Sequence, residues 1–276
     1  MIFAGFVLKG DFVMKKLLLA GAMALAMVGI AQAADMMLKA PPPAPVYSWT
    51  GWYLGVNFGD SWSSSSSTTF SGNGPTDIFF AANEFPTTLS TSPSGLFGGL
   101  QTGYNWQLSS AWVIGVETDI QFSRYQGSAV VTPAPTGPFV PFTTQVTTES
   151  DWFGTLRARL GYLLMPSVLV YGTGGLAYGQ ANTSFNTVAT GFTLTSCPGF
   201  FTCASGQASD IRTGWAAGGG VEWMLAPHWT LRGEYLYIDL GSQSVTAGTV
   251  LPSVFAFTAS STYHENIARA ALNFGF

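Results

Sequence analysis

The chain is poor in charge. Of its 276 residues only 9% are Asp, Glu, Lys or Arg, against about 25% in ordinary soluble domains. A water-facing surface built from so few charges is poorly soluble. Long apolar runs are also scarce. Outside the N-terminus no stretch approaches the roughly twenty apolar residues that a spanning helix needs, although 47% of the residues are hydrophobic and mean hydropathy is +0.29. Low charge, high hydropathy and no spanning helix leave one solution, a closed sheet, because in hydrocarbon every backbone polar group must be paired. Basic residues are few as well. Ten Lys and Arg against fourteen Asp and Glu give a net charge of −4, and no basic cluster accompanies the aromatics as a nucleic-acid groove requires. Two cysteines and two histidines leave little material for a metal centre, and no cofactor is expected.

What is present begins with a leader. Met14-Lys15-Lys16 is followed by an apolar run from Leu17 to Ala31 and then by Ala31-Gln32-Ala33. A charged start, a short apolar stretch and a small-residue ending describe a cleaved signal peptide, with cleavage expected after Ala33. Residues 1–13 fit no part of such a leader, so Met14 is the expected start. Residues 34–48 contain Pro41-Pro42-Pro43-Ala44-Pro45 and read as an extended periplasmic linker. The barrel itself is expected over 49–276.

From Trp49 onward apolar residues recur with period two. Strands are predicted near 50–62, 95–107, 111–124, 150–164, 168–180, 210–225, 229–241 and 263–276. Their connections alternate in length. Leu108-Ser109-Ser110, Met165-Pro166-Ser167 and Ala226-Pro227-His228 are tight, whereas the segments near 63–94, 125–149, 181–209 and 242–262 are long. Outer-membrane barrels show this asymmetry, with short periplasmic turns and long external loops. The expected fold is all-β, a closed antiparallel eight-stranded transmembrane barrel with long external loops. The first of those loops opens on Ser63–Ser67, which reads as a flexible polar segment.

Charge parity sharpens the reading. One parity of the later strands carries Trp112, Ile114, Val116, Leu156, Leu160, Val221, Leu231, Leu272, Phe274 and Phe276. The other carries Glu117, Asp119, Asp151, Arg157, Arg159, Arg212, Glu222, Arg232, Glu234, Glu265 and Arg269. Arg124 and Asp239 break the rule at strand ends, where a lipid-facing charge costs least. Aromatics gather into two groups. Trp52, Trp106, Trp112, Tyr162, Trp223 and Trp229 fall at the periplasmic end. Trp62, Tyr125, Trp152, Tyr178, Tyr237 and Tyr263 fall at the external end, as two membrane interfaces require. Leu272, Phe274 and Phe276 form an alternating C-terminal signal of the kind read by the outer-membrane insertion machinery.

Several stretches carry a resemblance. They include Trp49-Thr50-Gly51-Trp52-Tyr53-Leu54-Gly55, Gly98-Gly99-Leu100-Gln101-Thr102-Gly103-Tyr104-Asn105-Trp106, Arg157-Ala158-Arg159-Leu160-Gly161-Tyr162 and Gly218-Gly219-Gly220-Val221-Glu222. The sequence resembles the small outer-membrane surface proteins of alphaproteobacteria, a porin-like family with the OmpA-type eight-stranded transmembrane domain. The resemblance implies an abundant surface protein that supports envelope integrity and meets the host or environment; some relatives bind haem. Unlike full-length OmpA, the chain is expected to stop at the barrel, without a peptidoglycan-binding domain.

The inward charges admit two readings, a selectivity lining for a pore or a paired network filling the lumen. An eight-stranded interior is just wide enough for side chains, and buried charges need partners, so the network is favoured. Cys197 and Cys203 are expected to form a disulfide, given the oxidising periplasm. His228 and His264 fall at opposite ends, so a shared metal or haem site is not expected. His264-Glu265 is the one candidate for a rim hydrolase, but strand neighbours face opposite ways, and no enzyme is expected. The sequence-level function is therefore an integral outer-membrane surface barrel. The alternatives are a narrow channel for small solutes and an adhesin or ligand-binding protein acting through external loops. Expected partners are outer-membrane lipids and lipopolysaccharide, the insertion machinery and periplasmic chaperones.

Overall fold

The computed structural model of the chain describes residues 48–276 except 64–65, 137–140, 190–202 and 249–255. The leader, the start at Met14, nearly all of the linker and Cys197 lie outside these residues, as does the side chain of Cys203.

Among the described residues ten strands appear: β1 (Gly51–Trp62), β2 (Ser66–Gly72), β3 (Thr88–Thr91), β4 (Ser94–Gln107), β5 (Trp112–Val131), β6 (Phe142–Met165), β7 (Val168–Ala189), β8 (Cys203–Ala226), β9 (Trp229–Gly248) and β10 (Ala256–Gly275). A 3-10 turn at Gly74–Thr76 and a short helix, α1 (Asp77–Ala81), separate β2 from β3. Eight strands close a ring in the order β1-β4-β5-β6-β7-β8-β9-β10, all antiparallel, and β10 returns to β1 from Tyr53↔Gly275 to Trp62↔Asn266. Closure leaves this ring without an edge.

The outer face of the ring is apolar and exposed. Leu54, Val56, Phe58, Leu100, Val116, Ile120, Leu156, Leu160, Leu176, Val221 and Leu231 all stand open on it. Such a continuous greasy band is tolerable only against acyl chains. Aromatic rings border it. At the short-turn end Trp112 meets Tyr162 edge-on at 5.2 Å and Trp52 meets Tyr104 at 5.3 Å. At the other end Trp152 meets Tyr178 at 6.3 Å and Trp215 meets Tyr237 at 5.4 Å. Two members of the predicted outer group are corrected. Tyr125 and Tyr263 are buried inside, because both share the parity of the inward charges on their strands. A charge placed mid-band gives the first test. Leu156→Arg should lower the stability of the refolded protein in liposomes by about 2–4 kcal/mol, read from urea titration of its gel mobility. A change near zero would mean that this face is not in lipid.

The long external loops are the larger correction. Most of those segments are strand. β5 to β10 each run for 20 to 24 residues, about twice the 9–11 that cross a bilayer. Ser66 and Ser67 of the supposed flexible segment belong to β2 and pair with Thr91 and Ser90 of β3. Above the band the wall divides. The β8–β9 ladder ends at Trp215↔Asp239, and the β4–β5 ladder ends at Ser94↔Gln126. β2 takes the place of β1 beside β10, from Thr68↔Ser261 to Gly72↔Phe257. The result is two facing sheets, β5-β6-β7-β8 and β9-β10-β2-β3. Between them lie Phe70, Phe85, Leu89, Phe142, Val146, Phe185, Val245 and Phe257, with Phe79 and Phe80 of α1 packed against them. The polarity of the wall thus inverts with height: apolar outside in lipid, apolar inside beyond it.

Local irregularities accompany the inversion on β6 and β9. Gly241 adopts φ +76, and beside it the β9–β10 register slips between Tyr263 and His264. Leu236, Ile238 and Leu240 face inward below this slip, and Gln243 and Val245 face inward above it. A second shift lies between Glu149 and Phe153. Each bulge changes which parity faces the interior.

Candidate functional site

The lumen of the ring is the place where chemistry-bearing side chains converge. β5 supplies Glu117 and Asp119, β6 supplies Arg157 and Arg159, β8 supplies Glu222, β9 supplies Arg232 and Glu234, and β10 supplies Arg269. All eight are buried. Arg157 donates from Nη2 to Glu117 at 2.6 Å and to Asp119 at 3.0 Å, and from Nη1 to Glu234 at 3.0 Å. Arg269 bonds Glu234 through Nε at 2.6 Å and Asp119 through Nη2 at 3.0 Å. Arg232 bridges Glu117 and Glu222, the latter at 3.1 Å, and Arg159 reaches Glu222 at 2.8 Å. Four carboxylates face four guanidiniums, so the set is neutral as a whole. Fork-shaped guanidiniums suit such multiple bonding.

Tyrosines and amides complete the layer. The Tyr53 hydroxyl donates to Glu117, and that of Tyr171 donates to Glu234 at 2.8 Å. The Arg159 guanidinium lies 4.0 Å above the Tyr171 ring, a cation–π contact. Two glycines make room for these rings. A Cβ on Gly103 would stand 2.5 Å from the Tyr53 hydroxyl, and one on Gly220 would stand 2.7 Å from that of Tyr171. Gly220 belongs to the triple glycine on β8, Gly218-Gly219-Gly220. Toward β1 and β4 the layer continues through amides. Asn273 donates to Glu222 at 2.9 Å, Gln101 to Asn273 at 2.6 Å and Asn57 to Gln101 at 3.0 Å.

Three residues of the predicted set stand apart. Asp151 is exposed: it lies inside the β6 bulge, which turns it outward although it shares the numerical parity of Arg157. Arg212 points to the lumen side but sits well above the network, where it donates to the Ser242 carbonyl at the point of separation of β8 and β9. Glu265 is buried, yet its Oε2 has no hydrogen-bond partner, and it too lies above the network. The eight remaining charges form one connected cluster.

Apolar clusters flank this network on both sides. Toward the short turns Trp49 packs with Val113, Leu163 and Leu169. Its indole Nε1 donates to the Pro166 carbonyl at 3.0 Å, so one residue crosses beneath the mouth. Sequence pattern did not single out Trp49 for this role, because it precedes the first strand and has no parity to read. Toward the other end Phe97, Phe153, Ala177, Leu236, Ile238 and Ile267 form the next layer. Phe153, Leu236, Ile238 and Ile267 share the parity of the inward charges on their strands, so alternation alone does not mark them as a separate layer.

The remaining candidates are placed as follows. His228, at φ +71 in the last tight turn, shares a hydrogen bond of 2.9 Å between Nδ1 and the Gly275 carbonyl. His264 stacks outward on Tyr237 at 6.3 Å, while Glu265 points inward. Phe274 contacts Trp229 at 5.1 Å and Phe276 at 5.3 Å. Among the described residues no group of three or more metal-ligating side chains occurs.

Comparison with known proteins agrees with this architecture. The family model described as an outer membrane protein beta-barrel domain matches residues 20–264. The 31 kDa outer-membrane immunogenic protein of Brucella melitensis is 36% identical over 78% of this chain and 83% of its own. The 22 kDa outer membrane protein of Rhizobium leguminosarum is 30% identical over 73% of this chain and 69% of its own. Among solved structures, the outer membrane protein OprG of Pseudomonas aeruginosa superimposes with a TM-score of 0.50 over 84% of this chain and 100% of its own, at 14% identity; this likeness concerns the fold. With an eight-strand ring, a lipid-facing band and these relatives, the chain belongs to the outer-membrane β-barrel family and resides in the Gram-negative outer membrane.

Proposed function

We propose that the protein is a sealed envelope barrel that carries a folded platform above the membrane, and that it works through that platform rather than as a pore or an enzyme. The observation that carries this reading is the filling of the lumen. From Trp49 through the neutral charge layer to Phe153, Leu236 and Ile267, buried side chains succeed one another along the inside of the ring. A pore lining needs charges that face water; here every charge of the central set faces another. The strand count supports the same reading, since an interior of eight strands is filled by side chains. The geometry at His264, whose acidic neighbour faces the opposite way, supports a non-enzymatic role.

In this reading the acyl chains of the outer membrane are the partners of the apolar band, and the platform is the surface presented outward. Short turns lie on the periplasmic side in barrels of this class, which puts the two-sheet extension outside. The name "immunogenic" borne by the Brucella relatives is consistent with a surface of that kind. Leu272, Phe274 and Phe276 would be read by the insertion machinery before folding, because in the finished barrel β10 is paired on both sides. Planar-bilayer recording of the refolded chain tests the closed state. The expected trace matches an empty-micelle control. Steady, reproducible unitary openings would replace this reading with the narrow channel.

A further inference from the structure

The outward face of β6, β7 and β8 above the aromatic border is a regular polar grid. Gln145, Asn186 and Ser205 lie side by side across the three strands, and Thr147, Ser184 and Gln207 form the next row down. A third row, Glu149, Asn182 and Ser209, stands closest to the membrane. Same-face neighbours are about 4.8 Å apart across strands and roughly 7 Å apart along them. The grid is concave. A groove of about 400 Å³ spans the upper two rows, and a second of about 230 Å³ adjoins it below, sharing Thr147, Ser184 and Gln207. The short Ser184 and Ser205 form the hollow between the longer Gln145, Asn186 and Gln207.

We infer that this groove binds a saccharide chain, specifically the sugar portion of lipopolysaccharide anchored in the surrounding outer leaflet. Three observations lead there. First, the lining is amide and hydroxyl with a single carboxylate, Glu149. Amides offer donors and acceptors at fixed spacing, which is what a chain of sugar hydroxyls can use. Second, four of those groups are open to a ligand. The side chains of Gln145, Thr147, Ser184 and Gln207 have no hydrogen bond to other described residues. On the opposite sheet, by contrast, the outward hydroxyls pair with each other, Ser244 with Ser260 at 3.1 Å and Thr246 with Thr258 at 2.9 Å. Third, height selects the source. The lowest row stands next above Trp152 and Tyr178, the border of the apolar band, so a chain rising from a lipid in that leaflet meets the groove along its length. The inference rests on the proposed external position of the extension.

The experiment uses the full mature chain refolded in micelles and, as probe, the oligosaccharide released by mild acid from the lipopolysaccharide of the source cells. Titration calorimetry should show saturable binding. Ser184→Tyr and Ser205→Tyr, which fill the hollow with a residue that strands accept, should each weaken it by about tenfold, the loss expected when one or two hydrogen bonds go unmade. Ser244→Tyr on the opposite sheet should leave affinity unchanged. All three variants should keep the heat-dependent gel shift of a folded barrel. The inference is overturned if the released oligosaccharide does not bind the wild type, or if the two groove variants bind it as well as the wild type. It is also overturned if intact lipopolysaccharide binds but its released sugar does not, which would place the contact on the lipid part. A wild type that is dimeric by light scattering and becomes monomeric on Ser184→Tyr would assign the groove to a second copy instead. Protease shaving of intact cells separates the two levels. An extension inaccessible from outside sinks the functional reading itself, whereas an accessible extension that ignores the sugar sinks only this inference.

Discussion

Replacing Arg157 with Leu is expected to destabilise the refolded barrel by about 3–5 kcal/mol, the usual cost of stranding buried charge. Arg157 is 1% exposed and bonds three carboxylates, those of Glu117, Asp119 and Glu234. Without it the four acids of the layer face only three guanidiniums, and the excess charge has no solvent to turn to. The penalty comes mainly from that imbalance and less from the value of any single bond. The double replacement Arg157→Met with Glu234→Gln should therefore recover a large part of the loss, since it restores neutrality. Coupling between such neighbours runs at about 0.5–3 kcal/mol, and urea titration of gel mobility in liposomes can resolve it. A loss below about 1 kcal/mol for the single variant, typical of solvent-exposed pairs, would show that water screens the layer and that the lumen is open.

Truncating Phe85 should have an effect of similar size but confined to the platform. Phe85 stacks on Phe257 at 4.5 Å and meets Phe70 edge-on at 5.5 Å, between the two upper sheets. Phe→Ala in a packed core costs about 3–5 kcal/mol. Phe257 and Phe70 sit on β10 and β2, so the seam between those strands should open first. Limited proteolysis of intact cells should cut the 66–91 region many times faster in Phe85→Ala, while the gel shift of the membrane ring stays at its wild-type temperature. The ring has its own pairing between β1 and β10 and its own lipid-facing burial. If ring and platform melt together, or if the cut rate does not change, the extension has no separate core and the inversion of polarity described above is wrong.

The membrane ring was legible in the sequence for a specific reason. Lipid leaves a residue two choices, facing hydrocarbon or facing the lumen, and the cost of error is high. Glu117, Arg157, Glu222, Arg232 and Arg269 obey that choice without exception, and the tight turns at Ser109, Pro166 and Pro227 mark one end. The same logic failed at Asp151. Parity can be counted only within an unbroken ladder, and Asp151 lies inside the bulge between Glu149 and Phe153. Tyr263 obeys parity, which points it inward; only its position near a strand end suggests the interface.

The platform was hidden by its composition. Its outer surface meets water, so Ser, Thr, Asn and Gln dominate segments such as 142–149 and 203–209, and they read as loops. The apolar residues that would reveal strands, Phe142 and Val146 on one sheet and Val245 and Phe257 on the other, are few and spread over distant segments. Each becomes half of a core only when another sheet covers it.

Chain chemistry alone therefore determined the class of solvent, the ring of eight strands and the separation of greasy from ionised faces, since those follow from alternation along single strands. Which carboxylate meets which arginine, that Trp49 packs against Val113, Leu163 and Leu169, and that the supposed loops stack into two sheets were decided by tertiary structure. Those contacts join residues from strands far apart in the sequence, and only ring closure and the bulges set their mutual height.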